Sequence, residues 1–409
     1  MKPRSLIILI LITSVCIHTI TCQPLKETET PDEVRDFFAG SVQQFSDRLF
    51  FANISGQGNV MISPLSVFQA LSMTANGAAG TTEKAMLEVL APDDPDLALL
   101  NLASKDYLDG LESISEVQMN IANSIFLNNQ AKIDAVFLQT TKKTYGSETK
   151  ALDFYNPKSE KTINDWVKKA TKGTIDSIID TVEPDMIMYL LNAIYFKADW
   201  NIPFDAYDTY DQKFSTEKKA VMVPFMHQST SLPYLEDREA QMLILSYKDE
   251  RFAFVAILPP EGTPIRTWLE NQKTSDFSKA IATYPQRAKY TRMRLSLPKF
   301  EARYTKTLSD EMKQLGMGIA FDPQHADFSN MLQNRSKEIV ISEILHKTFI
   351  RVDEKGSEAA AVTAVMMKAT SMAPQAMVEL HFNRPFFYAI VDTERSIPLF
   401  MGILDNPEV

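Results

Sequence analysis

The sequence contains little that could support redox or metal chemistry. Only two cysteines occur among 409 residues, Cys16 and Cys22. The five histidines are scattered, with no HExxH motif and no pair at the spacing of a zinc site. If the N-terminal segment is removed, no cysteine remains, and the core alone must hold the mature protein together. These absences argue against a metal centre and against a disulfide scaffold.

The motifs of common enzyme classes are also missing. The sequence has no GxSxG nucleophile elbow, no GxxxxGK[ST] phosphate loop and no GxGxxG dinucleotide turn. A hydrolase with an unrecognised active site is the alternative, because catalytic triads are defined by geometry and not by order along the chain. We expect a protein that is not an enzyme and that binds neither a cofactor nor a metal.

Positive charge is scarce. The chain carries 42 Lys and Arg against 52 Asp and Glu, which gives a net charge of −10. Binders of nucleic acid, heparin and anionic membranes need clustered Lys and Arg. We therefore expect no nucleic acid and no membrane partner, and instead a protein or a small ligand.

A long membrane-spanning run is absent, but a short apolar run stands at the N-terminus. Lys2 and Arg4 precede LIILILITSVCI, and HTITCQP follows, which is the layout of a secretory signal peptide. We expect cleavage after Cys22, so that residues 1–22 are a signal peptide and the mature protein is secreted into the extracellular space. The alternative is a retained N-terminal anchor, although the run is short for a membrane span.

The secretory route would bring two sequons into contact with the glycosylation machinery. Asn53-Ile-Ser55 and Asn334-Arg-Ser336 both match the acceptor pattern for N-glycosylation. Asn53 and Asn334 are therefore the candidate glycosylation sites.

Helical patterns come first along the chain, and strand patterns come later. Apolar residues between Glu33 and Ile54 recur at three- and four-residue spacing, which predicts an amphipathic helix, and a second helix is expected to begin near Pro64. Runs such as LLNAIYFKADW, FAFVAILPP and MRLSLPKFEARY are rich in β-branched and aromatic residues and predict strands. Without internal repeats or a flexible linker, the pattern indicates one α+β domain built on a large sheet.

One stretch near the C-terminus, DEKGSEAAAVTAVMMKATSMAPQ, fits neither a core helix nor a solvated loop. Its side chains alternate at strand period two, and one of the two faces is small and uncharged. Such a strand could enter a sheet that is covered by helices, with Gly356 as the hinge and no proline before Pro374. The alternative is an ordinary alanine-rich helix or edge strand. The small face consists of Ser357, Ala359, Ala361, Thr363 and Val365.

The segment VDEKGSEAAAVTAVMM resembles the hinge of the serpins, inhibitors of serine proteases with a mobile reactive-centre loop. Further blocks resemble serpin blocks in family order: NVMISPLSVFQALSMTANGAAGTT, LLNAIYFKADW, LSLPKF, LGMGIAFDPQHADFSNM, ILHKTFIRVDEKGSEAA and HFNRPFFYAIVDTERSIPLFMGIL. The resemblance implies a single serpin domain over residues 23–409, with helices packed around a large central β-sheet plus further sheets. It also implies a monomer with an exposed loop at about residues 354–378.

The resemblance assigns roles to two groups of residues. The hinge of the loop comprises Glu354, Gly356, Ser357, Glu358, Ala359, Ala360 and Ala361. A polar cluster under the central sheet, where strands part, comprises Ser63, Ser66, Asn192 and His346, and Trp200 falls at the top of that sheet. Taken alone, His346 would be an ordinary buried histidine and Asn192 a turn residue.

The resemblance implies a suicide-substrate mechanism. A protease cleaves the loop, forms an acyl-enzyme and is trapped when the cut loop inserts into the central sheet. The small hinge residues match inhibitory members of the family. The alternative is a non-inhibitory serpin that acts as a carrier or binding protein, and a cysteine protease is a further conceivable target.

The position of the reactive bond is less tightly determined. Counting from Glu354 with the family's usual spacing gives Thr370–Ser371, whereas counting back from NRPF gives a bond one residue later. Small or apolar residues before the bond favour an elastase-like or chymotrypsin-like protease, and Lys368 would instead attract a trypsin-like one. Ala369 and Met372 are further candidates. Activation by heparin is not expected, since the surface is acidic.

Overall fold

The computed structural model describes residues 30–408 apart from 113, 115, 129–131, 237–238, 274–275 and 358–376. The predicted signal peptide 1–22, the hinge residues 358–361 and the reactive-bond candidates 368–372 lie outside the described residues. None of the helices in the described ranges is long and apolar enough to cross a membrane.

Some of the helices begin at a residue whose side chain caps them. At the start of the first helix, Thr30 accepts a hydrogen bond from the Glu33 amide, and the Glu33 carboxylate accepts one from the Thr30 amide, which forms a capping box. The helices are α1 Pro31–Asn53, α2 Pro64–Ala75, α3 Gly80–Leu90, α4 Leu97–Glu112, α5 Ala135–Tyr145, α6 Lys158–Ala170, α7 Ile265–Asn271, α8 Phe277–Arg287 and α9 Ser309–Met312.

The described strands form two sheets. They are β1 Val60–Ile62, β2 Val117–Asn128, β3 Glu148–Leu152, β4 Met188–Asp199, β5 Thr209–Ser215, β6 Ala220–Glu236, β7 Gln241–Ser246, β8 Phe252–Leu258, β9 Lys289–Pro298, β10 Phe300–Thr307, β11 Glu343–Val352, β12 Gly356–Ser357, β13 Val378–His381, β14 Phe386–Asp392 and β15 Ile397–Leu404. The nine-stranded sheet has the order β1-β15-β14-β8-β7-β6-β9-β13, with β5 paired to β6. The six-stranded sheet has the order β10-β11-β12-β4-β2-β3.

Helix α2 lies at the centre of the core. Every one of its residues is buried, and it packs against β2 and β4 of the six-stranded sheet and against β15 of the nine-stranded sheet. Small side chains such as Ala70 and Ser72 let both sheets approach it closely. The N-terminus of α2 is thereby fixed behind the six-stranded sheet, where the site described below is built.

The expected α+β class is confirmed, with two differences in detail. The long strand β2 lies among the N-terminal helices and was not predicted. The run MRLSLPKFEARY, expected to be one strand, is divided at Lys299 into β9 and β10, which belong to different sheets. The Lys299 amide still donates to the carbonyl oxygen of Pro224 on β6 at 2.9 Å, and from Phe300 onward the chain pairs with β11 instead.

Substitution of Gly402 tests the close packing within the nine-stranded sheet. A Cβ at this position of β15 would lie 2.5 Å from Cζ of Tyr388 and 2.7 Å from the carbonyl oxygen of Val60. We expect Gly402→Ala to lower the free energy of unfolding by about 1–3 kcal/mol because the core is overpacked. Chemical denaturation measures this change.

Gly40→Ala is the matched control. Gly40 lies inside α1, and a Cβ there would meet no heavy atom within 4 Å. We expect this variant to raise the free energy of unfolding by about 0.4–1 kcal/mol, because alanine has fewer conformations than glycine in the unfolded chain. Equal effects of the two substitutions would contradict the packing described here.

Candidate functional site

The six-stranded sheet is divided between β4 and β11. These parallel strands pair directly from Tyr189 with Glu343 up to Ile194 with Thr348. Beyond Thr348 and Ile194 they no longer pair with each other, while β4 stays paired with β2 and β11 with β10. The separated part is a wedge in the sheet that is wide enough for one further strand at its open end.

The short strand β12 occupies the open end of this wedge. Ser357 is opposite Ala198 of β4 and Val352 of β11, and it is antiparallel to both. A Cβ on Gly356 would lie 2.0 Å from the carbonyl oxygen of Ala198, so only glycine fits at this point. A strand that continued β12 past Ser357 would enter the wedge between β4 and β11.

The Ser357 side chain is fully buried in this position. Its hydroxyl oxygen lies 2.7 Å from the hydroxyl oxygen of Tyr247, and the Tyr247 ring stacks on Trp200 with the ring centroids 4.6 Å apart. A longer side chain at position 357 would displace this aromatic pair. A charged side chain would in addition be removed from water at a cost in free energy.

The turn between β11 and β12 is fixed by backbone hydrogen bonds. The Trp200 indole donates to the carbonyl oxygen of Asp353 at 2.8 Å, and the Trp200 amide donates to that of Lys355 at 2.7 Å. The Phe204 amide donates to the carbonyl oxygen of Glu354 at 2.8 Å. Three consecutive carbonyls of the hinge are thus held by the segment that follows β4.

A salt bridge holds the same turn from the opposite side. The Lys299 ammonium lies 2.8 Å from a carboxylate oxygen of Glu354, and the Glu354 side chain is only 13% exposed. Burial opposes ionisation of Glu354, but the hydrogen bond and charge of Lys299 outweigh it, and the pKa of Glu354 is lowered. The carboxylate therefore stays charged and attached to Lys299.

The polar cluster lies at the closed end of the wedge. His346 and Asn192 are register partners on β11 and β4, two residues before the strands separate. The Nδ1 of His346 donates to Oδ1 of Asn192 at 2.6 Å, and its Nε2 accepts from the Ser63 amide at 3.2 Å. The Asn192 amide donates to the Ser66 hydroxyl. Both strands are thereby bonded to the N-terminus of α2.

His346 remains uncharged in this environment. It is fully buried, and this burial lowers its pKa to about 3. Protonation would also place an N–H against the Ser63 amide, where Nε2 now accepts a hydrogen bond. The cluster consequently depends on a neutral imidazole.

Four of the five expected cluster residues are brought together. Ser63, Ser66, Asn192 and His346 are all fully buried and joined by hydrogen bonds. Trp200 is also buried, at the open end of the wedge as expected.

Sequence analysis missed other members of the site. Asn123, opposite Asn192 in the register, accepts from its amide at 2.6 Å, and Thr348 donates to the Met61 carbonyl at 3.0 Å. Lys299 was also not predicted to belong to the site. A lone lysine in the apolar block LSLPKF could have indicated a salt bridge there. Tyr247 and Asn123 lie in segments whose patterns gave no such signal.

The two sequons differ in their surroundings. Asn53 is buried at the end of α1, and its side-chain amide donates to the Leu49 carbonyl at 2.8 Å. Asn334 is exposed in a turn, and its side-chain oxygen accepts from the Ser336 amide. A glycan at Asn53 would require the amide to leave the core, so the expectation for Asn53 is withdrawn and Asn334 is retained as a candidate.

Within the described ranges, no group of three histidine, cysteine, aspartate or glutamate side chains is arranged to hold a metal ion. The chemistry of the site therefore consists of backbone pairing and neutral hydrogen bonds, with one salt bridge at its open end.

Replacement of His346 tests the neutral cluster. The unfolded chain binds a proton at this histidine below about pH 6.5, whereas the folded protein does not until about pH 3. The contribution of His346 to stability is therefore present above pH 6.5 and is lost as the pH falls. When the pH is lowered from 7.5 to 5.5, the free energy of unfolding of the wild-type protein should fall by about 1.4 kcal/mol more than that of His346→Gln. Urea unfolding at the two pH values measures this difference.

His381→Gln serves as the control, because His381 is 47% exposed on β13. It should lose as much stability over this pH interval as the wild-type protein. An unchanged pH dependence in His346→Gln would contradict the assignment of a neutral, buried imidazole.

Comparison with known proteins identifies the architecture. The family model described as "Serpin (serine protease inhibitor)" matches residues 41–407. Human alpha-1-antichymotrypsin is 32% identical over 358 residues, which cover 86% of this chain and 83% of that protein. Leukocyte elastase inhibitor of Xenopus tropicalis is 30% identical over 357 residues, which cover 86% of this chain and 93% of that protein.

Solved structures agree with this match. Native tengpin, a thermophilic serpin, superposes with a TM-score of 0.84 at 33% identity and covers 93% of this chain and 96% of its own. Thyroxine-binding globulin in complex with thyroxine gives a TM-score of 0.80 at 27% identity and covers 90% of this chain and 99% of its own. The family thus includes protease inhibitors and a hormone-binding member, and the present chain belongs to the serpin family.

Proposed function

We propose that the protein is a secreted inhibitor of serine proteases that acts as a suicide substrate. The observation that carries this proposal is β12, which begins an additional strand between β4 and β11. If the sequence continued β12 at strand period two, the small uncharged side chains of Ala359, Ala361, Thr363 and Val365 would share the face of Ser357. A loop cut after this segment can extend β12 into the wedge.

The free energy of this extension is sufficient to deform a bound protease. On the order of ten new hydrogen bonds at about 1 kcal/mol each give on the order of 10 kcal/mol. The acyl ester links the end of the loop to the protease serine, so insertion pulls that serine away from its oxyanion hole and its general base. Hydrolysis of the ester then stops, and the protease stays covalently bound.

The target class follows from the loop sequence. Residues before Thr370–Ser371 are small or apolar, which favours chymotrypsin-like or elastase-like pockets. Antichymotrypsin and leukocyte elastase inhibitor among the relatives support this class. Lys368 supports a trypsin-like enzyme as the second candidate. Similarity to thyroxine-binding globulin supports the alternative of a non-inhibitory carrier.

The test mixes the purified protein with chymotrypsin, elastase and trypsin. On a denaturing gel we expect a stable complex at the summed mass, and mass spectrometry of the released C-terminal peptide identifies the reactive bond. Cleavage by all three proteases without a complex would instead support the carrier, and the melting temperature would then not rise after cleavage.

Two substitutions in the hinge test whether the face of the loop that carries Ser357 must be buried for the protease to be trapped. Ser357→Arg places a long charge against Tyr247, where Ser357 is fully buried. We expect it to abolish the covalent complex and to turn the protein into a cleaved substrate. Complex and cleaved product are quantified on the same gel.

Glu358→Arg is the control, because strand period two puts residue 358 on the opposite face. It introduces the same side chain one position further along and should retain most of the covalent complex. A stable complex with Ser357→Arg would contradict the insertion of this face.

The secretory route predicts a glycan at Asn334. In secreting eukaryotic cells, Asn334→Gln should lower the apparent mass by one glycan, because Asn334 is exposed. Asn53→Gln should leave the apparent mass unchanged, because the Asn53 amide is hydrogen-bonded inside α1. A glycan that disappears only in Asn53→Gln would contradict this assignment.

A further inference from the structure

Tyr207 is the most exposed of the large hydrophobic side chains in the described residues, at 95% exposure. It lies in the single turn Ala206–Asp208, before β5 begins. Its ring forms no stacking or cation–π contact with a described residue, and its hydroxyl group has no hydrogen-bond partner among them. The phenol is therefore open to an enzyme from nearly all directions.

Three aspartates lie close to Tyr207 along the chain, in the segment DAYDTYD, residues 205–211. Asp205 precedes Tyr207 by two positions, and Asp208 and Asp211 follow it. Asp208 and Asp211 are exposed, and none of the three carboxylates forms an ion pair with a described residue. Asp205 also accepts a hydrogen bond from the Tyr207 amide at 3.0 Å, which holds the turn.

We infer that Tyr207 is a site of tyrosine O-sulfation. The enzymes that sulfate tyrosine act in the secretory pathway, and they bind acceptors with flanking carboxylates through basic residues, as expected from charge complementarity. The inference rests on the secretory route of the proposed function. No other described tyrosine combines this exposure with this acidic surrounding.

The reaction is a group transfer from an activated sulfate donor, an adenosine phosphosulfate. The phenol oxygen of Tyr207 attacks sulfur, the bond between sulfur and the bridging phosphate oxygen breaks, and the nucleotide leaves with that oxygen. The phenolic proton passes to a base of the sulfotransferase. The product is a sulfate ester with a permanent negative charge.

Tyr207 lies close along the chain to a residue that contacts the hinge of the reactive-centre loop. Phe204, three residues before Tyr207, donates its amide hydrogen to the Glu354 carbonyl at the hinge. A protease that attacks the loop approaches this same end of the molecule. A sulfate at Tyr207 would add to the negative charge of Asp205, Asp208 and Asp211 there and would speed association with a protease of positive surface.

Two tyrosines in the same protein are natural controls. Tyr210 shares the acidic segment, but its backbone pairs with Phe225 in the sheet and its ring stacks on His227 at a centroid distance of 4.1 Å. Tyr290 is 74% exposed, but its neighbours are Lys289 and Arg292. Tyr210 is 54% exposed, so the stacked ring and the paired backbone distinguish it from Tyr207. Among the described tyrosines, an unstacked, exposed ring and acidic neighbours coincide at Tyr207, so neither control should be modified.

The first experiment incubates the purified folded protein with a tyrosylprotein sulfotransferase and the phosphosulfate donor. Trypsin releases the peptide 198–213, which contains Tyr207 and Tyr210, and fragmentation locates the added sulfate. We expect one sulfate on Tyr207, none in Tyr207→Phe, and an unchanged level in Tyr210→Phe. No incorporation into the wild-type protein, or incorporation at Tyr210 or Tyr290, would overturn the inference.

The second experiment analyses the same peptide from protein secreted by eukaryotic cells. The expected mass increase must be lost on mild acid treatment and must resist phosphatase, which distinguishes sulfate from phosphate. Protein that is secreted and traps its protease but carries no sulfate at Tyr207 would overturn this inference and leave the proposed function intact. Protein that accepts sulfate in the purified reaction but never leaves the cell would instead overturn the secretory part of the proposed function.

Discussion

The structure depends on the hydrogen bonds that His346 and Asn192 make behind the six-stranded sheet. They join β4 and β11 to each other and to the first turn of α2, two residues before the end of direct pairing between the two strands. All of these groups are fully buried, so a broken bond would leave a polar atom without a partner in the core. The closed end of the wedge is therefore rigid.

The open end of the wedge is held differently. Its contacts are the hinge carbonyls bound by Trp200 and Phe204, and the salt bridge between Lys299 and Glu354. Lys299 is 35% exposed, so solvent weakens this pair relative to the buried hydrogen bonds of the cluster. The sheet thus has a more strongly bonded end and a weaker end, and the proposed insertion would begin at the weaker one.

The sequence was informative where a residue's neighbours are close along the chain, and less so elsewhere. Helix α1 and the runs LLNAIYFKADW and FAFVAILPP became the expected elements, because periodicity reports which face is buried. The cluster of Ser63, Ser66, Asn192 and His346 was expected only through family resemblance. Asn123 and Tyr247 were missed, because their roles depend on strand register and stacking, which no local pattern encodes. The exchange of sheets at Lys299 was also unforeseen, since both halves have the same alternation.

Under the proposed function, the strand β12 has a consequence for the rate at which a protease would be trapped. Bringing a distant segment to a sheet costs loop-closure entropy before the first pairing is gained. Here Ser357 is already paired with both β4 and β11, and Gly356 with β4, in the uncleaved chain. In the proposed mechanism, the cut loop would therefore elongate an existing strand nucleus, and the costly closure of the loop would precede the competition between insertion and hydrolysis of the acyl ester.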